Sequence, residues 1–314
     1  MRLGLIARRA LSGVVVLIGV SILSFSLIQL LPGDTATAIA GEFATPDQVA
    51  AIRQDLGLDQ PVIVQYFTWL WHVLQGNFGN SLATGRPAID MIFESVPPTA
   101  SIALVSLIIS TVVGVGLGLL AALNRGRWAD RVLSLLASVS ISAPAFWVLL
   151  LMVLAFAVLN PWLPAVGYVP LSEGFWPWLS HILLPAISLS FMHGAEIARY
   201  TRGSVIDVLA APYIRAARAR GAIGAWLSRN HLARNSAIPI VTVLGLQVAN
   251  MLGGVIVVES VAGINGLGRF AVTAVLQRDY IALQAYVLFV AVIIVVINLI
   301  VDILYTVINP KVRQ

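Results

Sequence analysis

TASIALVSLIISTVVGVGLGLLAAL, residues 99–123, runs for 25 residues without one charged side chain. The hydrocarbon core of a bilayer takes roughly 20 apolar helical residues to cross, so this stretch alone is long enough to span. A soluble domain of ordinary composition is about 25% charged. This chain is 11% charged and 59% hydrophobic, with a mean hydropathy of +0.93. Its 314 residues would suggest about two soluble domains by length, and composition overrides that prior.

Outward from 99–123, similar apolar runs occupy about 10–31, 132–159, 181–203, 236–258 and 281–308, which predicts an all-α polytopic membrane protein with six transmembrane helices. The first run follows Arg2, Arg8 and Arg9, and Ala38-Ile39-Ala40 imitates a signal-peptidase site. At 22 residues the run exceeds a signal h-region of about 7–15 and reads as a retained span. The organisation expected is an N-terminal tail and first span over 1–31, an extracytoplasmic helical segment over 32–98, and a five-helix core over 99–314 that carries a cytoplasmic loop at 204–235.

The basic residues orient the spans. With the N-terminus inside, 15 of the 19 lysines and arginines fall in cytoplasmic segments or flanking span ends; Arg53, Arg86, Arg269 and Arg278 fall outside. The short loops follow the positive-inside rule, while the long 32–98 segment is exempt from it. Both termini are therefore expected in the cytoplasm, and the net charge of +5 reports topology rather than a nucleic-acid partner.

Several chemistries are excluded. Cysteine is absent, which removes disulfides, thiolate nucleophiles and Cys-based metal sites. The single lysine, Lys311, has no Gly-Lys-Ser/Thr context, so the chain cannot supply its own P-loop. Histidines 72, 181, 193 and 231 are scattered, with no metal-binding spacing, and no nucleophile–base–acid set is visible. Gly114, Gly116 and Gly118 lie inside a span and read as close helix packing, and "GINGLG" at 263–268 reads as a turn between spans.

Within 32–98, Thr45-Pro46-Asp47-Gln48 opens a helix with an N-cap threonine, proline in the first turn and glutamine at N3; it is expected to run to Leu56 and stop at Gly57. A second helix starts near Pro61, carries Tyr66, Phe67, Trp69 and Trp71, and ends at Gly76. Those aromatics fit the lipid–water interface better than a ligand site. "GNSLATGRP" at 79–87 then returns toward the second span.

The most distinctive segment is "YIRAARARGAIGAWLSRNHLARN", 213–235, with five arginines and no acid. Arginine at a membrane centre costs about 2.5–3.5 kcal/mol, so this segment stays in water. Pro212 starts a short basic helix there and Gly221 ends or bends it. "YIRAARARGA…HLARNSAIPIVTVLG" resembles the EAA loop of ABC importer permeases of the dipeptide/oligopeptide/nickel family. "SFSLIQLLPGD" (24–34), "ATPDQVAAIRQDLGLDQPVIVQYFTWL" (44–70), "GNSLATGRP" (79–87) and "VVESVAGINGLGRF" (257–270) are similar to the same family in the same order.

The resemblance implies a type I ABC importer permease fold. It also implies that Tyr213, Arg215, Ala216, Ala217, Arg218, Arg220 and Gly221 form a coupling helix docking into a cytoplasmic ATPase. The implied partners are a second homologous permease, two P-loop ATPase subunits and an extracytoplasmic solute-binding protein, around a chain embedded in the bacterial inner membrane. ATP and Mg²⁺ would be held by the ATPases, with no cofactor on this chain. The resting pathway would open inward, and ATP-driven closure would turn it outward. The implied cargo is a short peptide, with nickel, glutathione-like peptides and haem as family alternatives. The residues themselves fit the role: small alanines permit close approach, and arginines can meet acidic partner groups.

Ionisable and polar residues inside spans are functional candidates by default. Glu196, with His193 before it and Arg199 after it, reads as paired with Arg199, or else as facing the pathway. Gln247 and Asn250 either line a polar pathway or bond across helices, and Asp302 reads as pairing or packing. An ion-coupled secondary transporter would call for an inverted repeat and paired broken helices, neither visible in the sequence. A membrane scaffold would carry no solute.

Overall fold

The computed structural model describes residues 2–30, 45–55, 59–221 and 234–308. Residues 31–44 of the expected outer segment, 56–58 with the helix stop expected at Leu56-Gly57, and 222–233 of the expected loop lie outside them. The helices in chain order are α1 (Arg2–Leu30), α2 (Pro46–Asp55), α3 (Val62–Leu74), α4 (Ala88–Leu123), α5 (Trp128–Ser142), α6 (Ala145–Val153), α7 (Phe175–Ala210), α8 (Pro212–Ala219), α9 (Arg234–Ala262), α10 (Leu267–Leu276) and α11 (Tyr280–Ile308). Among the described residues there is no strand, only one isolated bridge between Asn80 and Pro87.

Among the described residues, five helices are long and apolar enough to cross a membrane, and a sixth crossing exists if the bent pair α5–α6 is counted as one. That pair occupies the span expected at 132–159, and the chain bends by 99° at Ala143-Pro144 within it. Proline removes a backbone N–H and forces the residue before it out of the helical region; Ala143 accordingly sits at ψ 121. Elsewhere proline is absorbed: Pro97 and Pro98 lie inside α4, Pro185 inside α7 and Pro239 inside α9.

The chain forms two compact units: Met1–Arg2, Pro97–Arg269 and Ile297–Gln314 make one, and Leu3–Val96 with Phe270–Val296 make the other. In the first, α7 is the central helix, flanked by α9, α5 and α6. Its core joins Ile102, Leu149, Ile182, Leu189, Met251 and Val255. The glycine pattern at 114–118 resolves into two contacts. A Cβ on Gly114 would lie 2.6 Å from the Gly194 oxygen, and one on Gly118 would lie 2.5 Å from the Ala198 oxygen. Gly116 faces open space. Glycines four apart thus let α4 approach the α7 backbone, the small-residue packing expected in lipid.

In the second unit, α1 is seated on α11, where Gly13 meets Val295, and α3 packs against α1 through Phe25, Tyr66 and Trp69. The loop after α3 is tied to the start of α11. Asp279 accepts hydrogen bonds from the Ser81 hydroxyl, from Leu82 N at 3.1 Å and Ala83 N at 3.3 Å, and caps α11 through Ala282 N at 3.1 Å. A carboxylate at a helix N-terminus satisfies orphan amides and complements the dipole.

Candidate functional site

The basic island forms a separate short helix because both of its ends are enforced. Ala211, before Pro212, is extended at ψ 142 and parts α8 from α7. At the other end Arg220 N bonds Ala216 O at 3.2 Å and Ala217 O at 3.1 Å, and Gly221 leaves at φ +88, a left-handed conformation that side chains resist. Ile214 and Ala217, one turn apart, are buried against Val208 and Ala211. Burial of that isoleucine contributes roughly 2 kcal/mol, enough to hold a helix too short to be stable alone. Tyr213, Arg215, Ala216, Ala219 and Arg220 are exposed, and Arg218 lies on the same helix. The resulting element is a docked helix with an exposed face that is small in the middle and cationic at its edges.

Behind it, Arg202 of α7 grips Asp130 of α5 in a bidentate pair, Nε to Oδ1 at 2.6 Å and Nη2 to Oδ2 at 2.9 Å. Gly126 N adds a 2.9 Å bond to Oδ2, and Asp130 is 4% exposed. The clamp joins the 124–127 turn, the start of α5 and the last turns of α7. A bidentate pair of this kind is a charge-assisted contact of fixed geometry.

The span candidates are arranged differently from expectation. Glu196 is not paired with Arg199. Its carboxylate accepts a hydrogen bond from the Gln247 amide of α9, and Arg199 stands 5.9 Å from the Tyr200 ring centroid. Gln247 Oε1 lies 2.5 Å from His193 Nδ1, which makes Nδ1 the donor. His193, Gln247 and Glu196 thus form one chain across α7 and α9, because a buried amide between two polar groups outcompetes an exposed arginine one turn away. Asn250 is exposed on α9 and does not join it. A cavity of about 410 Å³ between α4, α5 and α7 is lined by Val113, Leu117, Ser134, Ser138, Phe191 and Arg199 among others, and by none of Glu196, Gln247 and Asn250.

Glu259 was not singled out in the sequence. It is fully buried in α9, accepts from Thr99 Oγ1 at 2.5 Å, and receives Gly268 N at 2.8 Å and Arg269 N at 3.2 Å. Leu267 N bonds Thr99 Oγ1 at 2.8 Å. The segment expected as a plain turn therefore turns at Gly263, φ +64, and then starts α10 on this carboxylate. A Cβ on Gly266 would occupy the space of the Glu259 carboxylate. The available signal was an acid seven residues before two glycines spaced to leave room for it.

A multi-span helical core with a separately docked basic helix defines a membrane transport subunit built on the type I importer permease fold. The chain belongs to the family of binding-protein-dependent transport system inner membrane components, matched over residues 114–314, with the family's N-terminal region matched over 2–103. It is 40% identical over 308 residues to the probable peptide ABC transporter permease protein y4tP of Sinorhizobium fredii, covering 98% of each chain. It is 42% identical over 311 residues to the glutathione transport system permease protein GsiC of Salmonella choleraesuis, covering 99% of each. Among solved structures, a chain of the MetNI methionine ABC transporter in an inward-facing conformation superposes with a TM-score of 0.56 at 18% identity, over 70% of this chain and 96% of that one. That likeness concerns the fold. The chain is a multi-pass inner-membrane permease component of an ABC transporter.

Proposed function

We propose that this subunit imports short peptides, with glutathione as the alternative cargo, in a complex with a second permease, two ATPases and an extracytoplasmic binding protein. The names of relatives about 40% identical along the whole chain support the cargo class. The observation that carries the mechanism is α8: docked by Ile214 and Ala217, open at Arg215, Ala216 and Arg220, and closed by Gly221. In this reading Tyr213 to Gly221 fit a groove on one of the ATPases. ATP and Mg²⁺ sit on those partners, both termini and α8 are cytoplasmic, and the segment before α4 is extracytoplasmic. Closure of the ATPases moves α8, and the Arg202–Asp130 clamp carries the movement into α5 and α7. The chain itself performs no hydrolysis, consistent with a sequence that has no P-loop lysine.

Purification of the tagged chain from its native membrane in gentle detergent tests the assembly. A P-loop ATPase and a second permease should accompany it, and Gly221→Pro, which cannot adopt φ +88, should weaken their recovery. A lone chain or homodimer that still transports solute would overturn the reading. Uptake of labelled glutathione and dipeptides by the reconstituted complex tests the cargo.

A further inference from the structure

The outer helix α3 divides into three sectors. Tyr66 and Trp69 rest on α1: the Tyr66 hydroxyl is 2.8 Å from Ser21 Oγ, and both rings lie 5.5 Å from Phe25 by their centroids. Gln65, Thr68, His72 and Gln75 make a polar arc, and Gln65 accepts a 3.0 Å bond from Gln29 near the end of α1. The third sector is a stripe of Ile63, Phe67, Trp71 and Leu74, spaced i, i+4, i+8 and i+11, with exposures of 72%, 61%, 62% and 72%. Helix α3 has no buried residue and no Asp, Glu, Lys or Arg.

Its seat on α1 decides what meets that stripe. The apolar run of α1 extends to about residue 31; Phe25, against which Tyr66 and Trp69 pack, is six residues back and lies ~9 Å inside that end at 1.5 Å per residue. A helix packed there is at bilayer level, on a membrane span whose Ile18, Ile22 and Leu23 are exposed. An interfacial amphipathic helix buries its apolar face ~5–10 Å into the headgroup–acyl boundary, the same depth.

We propose that α3 lies in the interfacial layer of the bilayer, with the Ile63–Phe67–Trp71–Leu74 stripe against lipid acyl chains and the Thr68–His72 side toward water. Lipid is the occupant because the stripe continues the lipid-facing surface of α1 and carries no charge to recognise a polar partner. It anchors the segment that leads, through Gly76 and the Asp279-held loop, into α4.

The chain has no cysteine, so single substitutions can be spin-labelled without further changes. Labels at Phe67→Cys, Trp71→Cys, Thr68→Cys and His72→Cys would be measured in the full complex in phosphatidylethanolamine–phosphatidylglycerol vesicles, with Ile63→Cys repeating the reading at 67. Collision with oxygen should exceed collision with a water-soluble nickel chelate at 63, 67 and 71, and the order should invert at 68 and 72. Low collision with both reagents along the stripe would mean that a protein partner covers it, and higher collision with nickel would mean that it faces water. Either result overturns the proposal.

Discussion

Three carboxylates do more than their positions in the sequence suggest. Among the described residues, Glu259 is the acceptor for Gly268 N and Arg269 N as well as a partner of Thr99. Leaving buried donors unsatisfied costs ~1–3 kcal/mol each, so Glu259→Ala should destabilise the protein by about 3 kcal/mol and Glu259→Gln by less. Thermal unfolding of the detergent-solubilised complex measures this, and an unchanged midpoint would refute the latch. At the Asp130–Arg202 clamp, Asp130→Asn and Arg202→Lys should each cost about 2 kcal/mol and combine non-additively, as partners in one contact do. Asp279 and Asp130 were not legible from spacing, because Asp279 meets Leu82 and Ala83 nearly 200 residues away and Asp130 meets Arg202 on another helix, whereas Glu259 left only the local signal of the glycines at 266 and 268. Glu196 was misread for a related reason. The i+3 spacing to Arg199 is visible in one dimension, and Gln247 on another helix is not.

At the scale of elements, the short helix is the part that sequence describes best. Pro212 and Gly221 bracket it, and the structure places its ends there. The bend in the third span was legible only in hindsight: Pro144 sits in an apolar run as unbroken as those around Pro185 and Pro239, where the helices continue. Tertiary packing decides which proline breaks a span. Two outcomes follow for α8. Ile214→Ala should remove about 2–4 kcal/mol of docking and leave the spans folded, so ATP hydrolysis by the complex continues while uptake falls. Equal loss of both activities would argue against a purely coupling role. Arg215→Glu with Arg220→Glu should slow association with the ATPases and weaken its dependence on ionic strength, read as association rate against salt.

For the whole molecule, composition alone separates a membrane protein from a soluble one, and the order of motifs along the chain carries the family. Arginine distribution predicts the orientation, which impermeant maleimide tests directly. Ala219→Cys in intact cells should resist labelling until the membrane is opened, whereas Thr84→Cys, in an exposed turn, should label from outside. The central claim is that α8 is where this subunit meets its motor. It is tested most directly by a cysteine at Ala216, on the open face, compared with one at the buried Ile214, each treated with a short bifunctional crosslinker in the native membrane. The account predicts an ATP-sensitive product joining Ala216→Cys to a P-loop ATPase and none from Ile214→Cys. Absence of that product, or equal yield from both positions, would contradict it.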